Sequence, residues 1–390
     1  MLGGSFSSHK YELFLYEIRE FIVMVIFSSF SRALKRGVGL ITLVFIVNCI
    51  LYYYFWNDIP DGEETDTWPR TQTRDVSKLI QPNHNTFEIV PKGVCDNNSD
   101  QPLLLIVVTS TIKNDKARQA IRDTLSKDAI QYTGQIRVIF LLGMISNSDP
   151  EQNRIIEEEV GFEATQFGDV LQASFIDSYY NLTIKSLSML KFFSNHCRTR
   201  VKYLMKVDDD IYINVKEVLQ LISDNTELNL LAGELISDAA PMTSGKWYAP
   251  PYMLSPYIKG STYPNFLSGT TYLMSQTTAE ILYRTSMLTP AFHLEDVFIT
   301  GILPEAYNQK LLDRNREWLE AISVPQNDKD TTEMIQIIPK NDHRFHRDKV
   351  DFDPCLYSEL ISSHGLEPKE IIHMHALAKS CIKINGSKVP

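Results

Sequence analysis

The chain has 390 residues, 44% apolar and 22% charged, which is the composition of a protein that folds over most of its length. Its formal net charge of −10 argues against a nucleic-acid partner, because neutralising a phosphate backbone needs a positive face. An anionic ligand held through a metal ion stays open.

From the N-terminus, Phe21–Phe30 is apolar but too short to span a bilayer, and Glu17, Arg19 and Glu20 bar its extension backwards. Val38–Trp56 (VGLITLVFIVNCILYYYFW) has the length and the lack of charge of a transmembrane helix. Arg32, Lys35 and Arg36 precede it, and Asp58, Asp61, Glu63, Glu64 and Asp66 follow it. The positive flank stays cytoplasmic, so residues 1–37 are expected as a cytoplasmic tail and 38–56 as a signal anchor. A cleaved signal peptide fits less well, since the run is long and no A-x-A site follows. Residues 57–100, rich in Asp, Glu, Thr, Asn and Pro, are expected as an extended luminal stem, and residues 101–390 as a luminal domain.

In that domain Leu103–Thr109, Arg137–Gly143 and Tyr203–Val207 are short, apolar, β-branched runs of the kind that form buried strands. Asp115–Leu125 and Leu182–Phe193 carry apolar residues at helical spacing. Alternating strands and helices predict an α/β fold with a mostly parallel central sheet, and such sheets bind ligands at the carboxyl ends of their strands. Cys49 lies in the apolar run. Cys95, Cys197, Cys355 and Cys381 match no zinc spacing and suit two disulfides in an oxidising lumen, with three pairings open. Sequons at Asn97, Asn181 and Asn385 all fall on the luminal side.

Three segments carry chemistry. In KVDDDIYIN an apolar strand runs directly into Asp208, Asp209 and Asp210, whose mutual repulsion calls for a divalent cation with oxygen ligands. An isolated DDD is more often an acidic turn or a helix cap, but such a turn does not need apolar residues on both sides. In HLEDVFITG, Glu295 and Asp296 open a helix. The macrodipole alone explains acids there, and a general base is the functional alternative. His364 stands in a loop before Gly365, where a neutral imidazole is able to ligate metal. His373 and His375 read as ordinary helix-surface residues.

Together these segments resemble the beta-1,3-galactosyltransferase and beta-1,3-N-acetylglucosaminyltransferase family (glycosyltransferase family 31), over roughly residues 103–381 and in the family's order. RQAIRDTL (Arg118–Leu125), FGDVLQASFIDSYYNLTIK (Phe167–Lys185), KVDDDIYIN, YPNFLSGTTYLMS (Tyr263–Ser275) and HLEDVFITG carry the likeness, the second most specifically. The resemblance implies a GT-A fold, a UDP-sugar donor, manganese or another divalent cation, and an inverting transfer of galactose or N-acetylglucosamine to an acceptor glycan in β-1,3 linkage. The acceptor it implies is a glycan on a glycoprotein, a glycolipid or a proteoglycan linker. With the anchor, it implies a single-pass type II Golgi membrane protein. Asp210, Asp208 and His364 are then the metal ligands, and Asp208 and Asp209 serve the donor. Asp296 is the general base, with Glu295 beside it. Arg118, Arg122, Asp177 and Lys185 belong to the donor pocket. The sequence departs from the family pattern at Leu125, where the family has Trp, and at Thr271, where it has Gly beside the acceptor. The rival functional class is a non-catalytic luminal chaperone or lectin on the same fold, against which the retained acids count.

Overall fold

The computed structural model describes Trp68, residues 71–95, and residues 102–389 apart from 133–134, 147–148, 226, 255–257, 259–260, 314–316, 318–335, 352 and 385–386. The strands of its two larger sheets, in chain order, are β1 (Phe87–Ile89), β2 (Leu104–Thr109), β3 (Ile136–Met144), β4 (Val170–Ile176), β5 (Tyr203–Asp208), β6 (Ile211–Ile213), β7 (Leu231–Ile236), β8 (Phe266–Ser275), β9 (Lys340–Asn341), β10 (Phe345–His346) and β11 (Ser362–His364). Eight of them form one sheet in the order β1-β4-β3-β2-β5-β8-β7-β9, and β10-β11-β6 form a small second sheet. In the large sheet β1 and β8 run against the other six, so the sheet is mostly parallel, as the sequence predicts.

The helices that frame the sheet include α1 (Val76–Ile80), α2 (Asp115–Ile121), α3 (Pro150–Phe167), α4 (Leu182–Phe192), α5 (Val215–Asp224), α6 (Gln276–Ser286), α7 (Leu303–Leu312) and α8 (Pro368–Ser380). Every residue of β2 is buried, the mark of a central strand covered on both faces. Successive side chains of a strand point to opposite faces. Leu105 and Val107 accordingly join a core with α4 and α6, and Leu104, Ile106 and Val108 join a second core with α2 and α5. Leu125, the expected departure from Trp, packs into this second core.

The expected stem is corrected by the structure. Its part from Arg74 to Cys95 is folded onto the domain, with Trp68 ahead of it. Trp68 is buried and its indole N–H donates to the Tyr180 carbonyl at 2.7 Å. β1 pairs antiparallel with β4. From α4 the Lys191 ammonium donates to the carbonyls of Ile80, Gln81 and His84 and to the Thr86 hydroxyl. A buried ammonium needs such a full set of acceptors, and burial still pulls its pKa down to about 8. Cys95 is bonded to Cys197 and Cys355 to Cys381, which selects one of the three pairings. By loop-closure entropy these loops, 102 and 26 residues in sequence separation, are worth about 4.7 and 3.5 kcal/mol. The expected signal anchor, Val38–Trp56, lies outside the described residues, and among the described residues no helix is long and apolar enough to cross a membrane.

Candidate active site

β2 and β5 run parallel in register and end together, Thr109 opposite Asp208. The three aspartates therefore emerge at the carboxyl rim of the sheet, where open α/β sheets place their ligands. The Thr109 hydroxyl donates to Asp208 Oδ1 at 2.8 Å. Asp209 is buried and its Oδ2 accepts from Ser110 Oγ at 2.6 Å and Asn114 Nδ2 at 2.9 Å. Burial lifts the Asp209 pKa, and the two donors only partly offset that.

His364 arrives from the far end of the sequence. β11 pairs antiparallel with β6, placing His364 opposite Ile211, next to the aspartates. Its Nε2 lies 3.0 Å from Asp210 Oδ1 and 4.0 Å from Asp208 Oδ2. Its Nδ1 meets the Arg347 carbonyl at 3.0 Å. A carbonyl only accepts, so Nδ1 carries hydrogen and Nε2 is the nitrogen left to ligate. One ligand atom from each of Asp208, Asp210 and His364 falls within 4.8 Å of the others. Two carboxylates and an imidazole suit a divalent cation of the manganese or magnesium kind, so the expected metal set fits. Burial opposes protonation of His364, but the two aspartates outweigh it and raise its pKa in the metal-free state.

On the other side of this cluster lies a buried lysine that the motif reading passed over. Lys206 donates to Asp208 Oδ1 and to the Gly269 carbonyl. Burial alone lowers its pKa, but Asp208, Glu295 and Asp296 together raise it above the ordinary value. Gly269 is needed for close approach: a Cβ there would sit 3.2 Å from Asp296 Cβ and 3.3 Å from Glu295 Oε2. Glu295 is buried and accepts from the Tyr272 hydroxyl at 2.7 Å. Burial pushes its pKa up to about 7, against the pull of Lys206. Asp296 is partly exposed, and its Oδ1 accepts from the Val297 N–H at 2.8 Å. Burial raises its pKa as well, opposed by that N–H and by Lys206. The two acids lead into a π-helical turn, Val297–Ile302, ahead of α7, so the expected helix start holds.

Of the donor-pocket residues, Lys185 and Asp177 form a buried ion pair of 2.7 Å at the ends of β3 and β4. The Lys185 ammonium also donates to the carbonyl of Ser110 at 2.7 Å, the residue whose hydroxyl holds Asp209. The two arginines are held by protein partners, and Arg118 also reaches the Ser110 hydroxyl at 3.2 Å. Arg118 is buried with both ends of its fork on Glu163, and it donates to the carbonyls of Thr111 and Ile112. Arg122 is paired with Glu163 and Asp169 and sandwiched by the Phe140 and Phe167 rings. Buried guanidinium groups need such partners. Arg118 thus shapes the loop after β2, and Arg122 braces α2 against α3.

Thr271 lies within β8 opposite Val207, buried, with its hydroxyl donating to the Lys206 carbonyl. It belongs to the sheet interior. His375 is likewise more than a surface residue, for it pairs with Asp128 at 2.7 Å. Asn181 turns its amide to the Ile176 carbonyl at 2.8 Å, while Asn97 and Asn385 lie outside the described residues.

The family model for galactosyltransferases matches residues 116–313. Beta-1,3-galactosyltransferase 1 of Mus musculus is 31% identical over 301 residues, which cover 76% of this chain and 79% of that one. The chain belongs to the galactosyltransferase family. It is a glycosyltransferase by that membership. Beta-1,3-galactosyltransferase 2 of Homo sapiens is 30% identical over 74% of this chain and 61% of its own length. Among solved structures the galactosyltransferase LgtC, in complex with donor and acceptor sugar analogs, shares 12% identity and covers 71% of this chain and 95% of its own. Its TM-score of 0.30 is too low to carry weight. In this glycosyltransferase the matched stretch holds the three aspartates and Glu295–Asp296, while His364 lies beyond it.

The burial of Glu295 gives a pH prediction. Glu295 binds its proton more tightly folded than unfolded, so its stabilising contribution is full below pH 4.5 and is lost as pH rises to about 7. Glu295→Gln removes this titration. Thermal melts from pH 4 to 8 should show the wild type losing stability relative to the variant across that window, by roughly 3 kcal/mol. Parallel curves would mean that Glu295 stays ionised when buried.

Proposed function

We propose that this glycosyltransferase is a divalent-metal-dependent, inverting enzyme that moves galactose from a UDP-linked donor to an acceptor glycan in β-1,3 linkage. One observation carries the proposal. Asp208, Asp210 and His364 converge within 4.8 Å, and Lys206 with Gly269 joins that cluster to the partly exposed Asp296. A cation held by the three ligands, manganese being the one proposed, would neutralise charge on the departing diphosphate.

Asp296 then removes the proton of the acceptor hydroxyl as that oxygen attacks the anomeric carbon. Attack from the side opposite the diphosphate converts an α-linked donor into a β-linked product. Glu295, buried against Tyr272 and Lys206, fixes the turn that carries Asp296. Asp209, Ser110 and the Lys185–Asp177 pair shape the donor side through one connected set of hydrogen bonds. The names of the two mammalian relatives support galactose and the β-1,3 linkage. The apolar run at 38–56 and two disulfides support a luminal domain on a type II Golgi membrane protein, acting on glycoprotein or glycolipid glycans.

The test offers the purified full chain UDP-galactose or UDP-N-acetylglucosamine with a panel of acceptor sugars, with manganese or with a chelator. Manganese-dependent transfer of galactose is expected. His364→Ala and Asp210→Ala should each weaken manganese binding in the presence of UDP by roughly tenfold or more. Undiminished transfer in chelator would sink the metal assignment, and transfer from the other donor alone would sink galactose.

A further inference from the structure

Two aromatic rings stand open at the rim that carries the carboxylates. Tyr179 is 43% exposed and Trp247 is 53% exposed, although large apolar side chains gain most from burial. They are held in place. Trp247 Nε1 donates to the Tyr179 hydroxyl at 3.1 Å, and the Lys246 ammonium lies 4.3 Å from the centre of the Tyr179 ring. The two rings come from distant strands. Tyr179 follows β4 and Trp247 follows β7, and both strands run in the direction of β5, so their carboxyl ends share the rim with Asp208.

The turn bearing Trp247 is closed by the Tyr248 N–H to the Gly245 carbonyl and by the Ala249 N–H to the Met242 carbonyl, both 2.9 Å. Gly245 has φ of +81°, which favours glycine at that corner. The turn is fastened to the catalytic side. The Tyr248 carbonyl accepts from His293 Nε2 at 2.8 Å, and His293 stands two residues before Glu295. Burial keeps His293 neutral, with a pKa pushed down to about 4, so this bond does not depend on its charge.

We propose that Tyr179, Lys246 and Trp247 form a shelf that binds a pyranose ring of the acceptor glycan. The proposal rests on the transferase reading above. A pyranose offers a face of axial C–H groups ringed by hydroxyls. The aromatic pair covers such a face, and the ammonium donates to the hydroxyls beside it. Exposed aromatic area held in this way marks a binding surface. Attachment to the turn of Glu295 and Asp296 assigns the shelf to the acceptor, since the base must touch the acceptor hydroxyl.

The experiment compares the detergent-solubilised full chain with Trp247→Ala and Trp247→Phe on an oligosaccharide array, with UDP and manganese present. UDP affinity and galactose transfer are measured on the same preparations. Trp247→Ala should lose roughly tenfold in affinity for the oligosaccharides that the wild type retains. Trp247→Phe, which keeps a ring, should lose less, and UDP affinity should not change in either. Unaltered oligosaccharide binding by Trp247→Ala overturns the shelf, as does a parallel loss of UDP affinity, which would mean that the rings stack on uracil. A wild type that retains no oligosaccharide also overturns it. Transfer by a wild type whose oligosaccharide binding ignores Trp247 sinks the shelf and leaves the transferase. Oligosaccharide binding that needs Trp247, in a wild type without transfer, does the reverse.

Discussion

Asp296→Asn should lower transfer by roughly 10²- to 10⁴-fold, the range lost when a positioned base is removed. The fold should survive, because asparagine keeps an oxygen for the Val297 N–H that Asp296 now accepts. The ligands Asp208, Asp210 and His364 are untouched, so UDP and manganese affinities should match the wild type. Single-turnover transfer and titration of UDP separate the two effects. Normal turnover would remove Asp296 as base and turn attention to Glu295, which is buried but next to it. Lost UDP affinity would mean that the residue holds the donor.

Lys206→Met should cost about 3–5 kcal/mol of stability, the usual penalty for breaking a buried charge cluster from one side. Lys206 faces Asp208, Glu295 and Asp296, and it also ties Asp208 to the Gly269 carbonyl. Without it Asp208, the buried Glu295 and Asp296 lose the ammonium that lies among them, and transfer should fall as well. Urea unfolding gives the stability, and Lys206→Met combined with Glu295→Gln tests the cause. If mutual repulsion is the source, the double variant should be more stable than the single one, a coupling that independent sites do not show. A loss below about 1 kcal/mol with transfer retained would mean that Lys206 only fills space.

The strands bearing the site were legible because central parallel strands are buried on both faces. Leu104–Thr109 and Tyr203–Asp208 begin or end within one residue of their apolar runs. The folded part of the stem was not legible. Its apolar residues, Trp68, Val76, Ile80 and Phe87, are widely spaced, and they are held by partners such as Tyr180 and Lys191 more than 100 positions away. The arginines show the same limit. Their motif is local, but Glu163 and Asp169, which claim them, lie 41 to 47 residues further on. Lys206 was visible all along as a lone lysine in an apolar strand, a position that a side chain of that charge occupies only with buried partners.

The antiparallel pairing of β6 with β11 has a consequence for biosynthesis. It brings together Asp210 and His364, which leave the ribosome 154 residues apart, taking 364 less 210. At about 5–20 residues per second, the aspartates wait roughly 8 to 30 s for their histidine. Until then the group of Asp208, Asp210 and His364 is missing one member. The Cys355–Cys381 bond encloses this late segment, with His364 inside its loop. That bond cross-links the segment that carries His364, so reducing it should loosen the small sheet through which the histidine reaches Asp210.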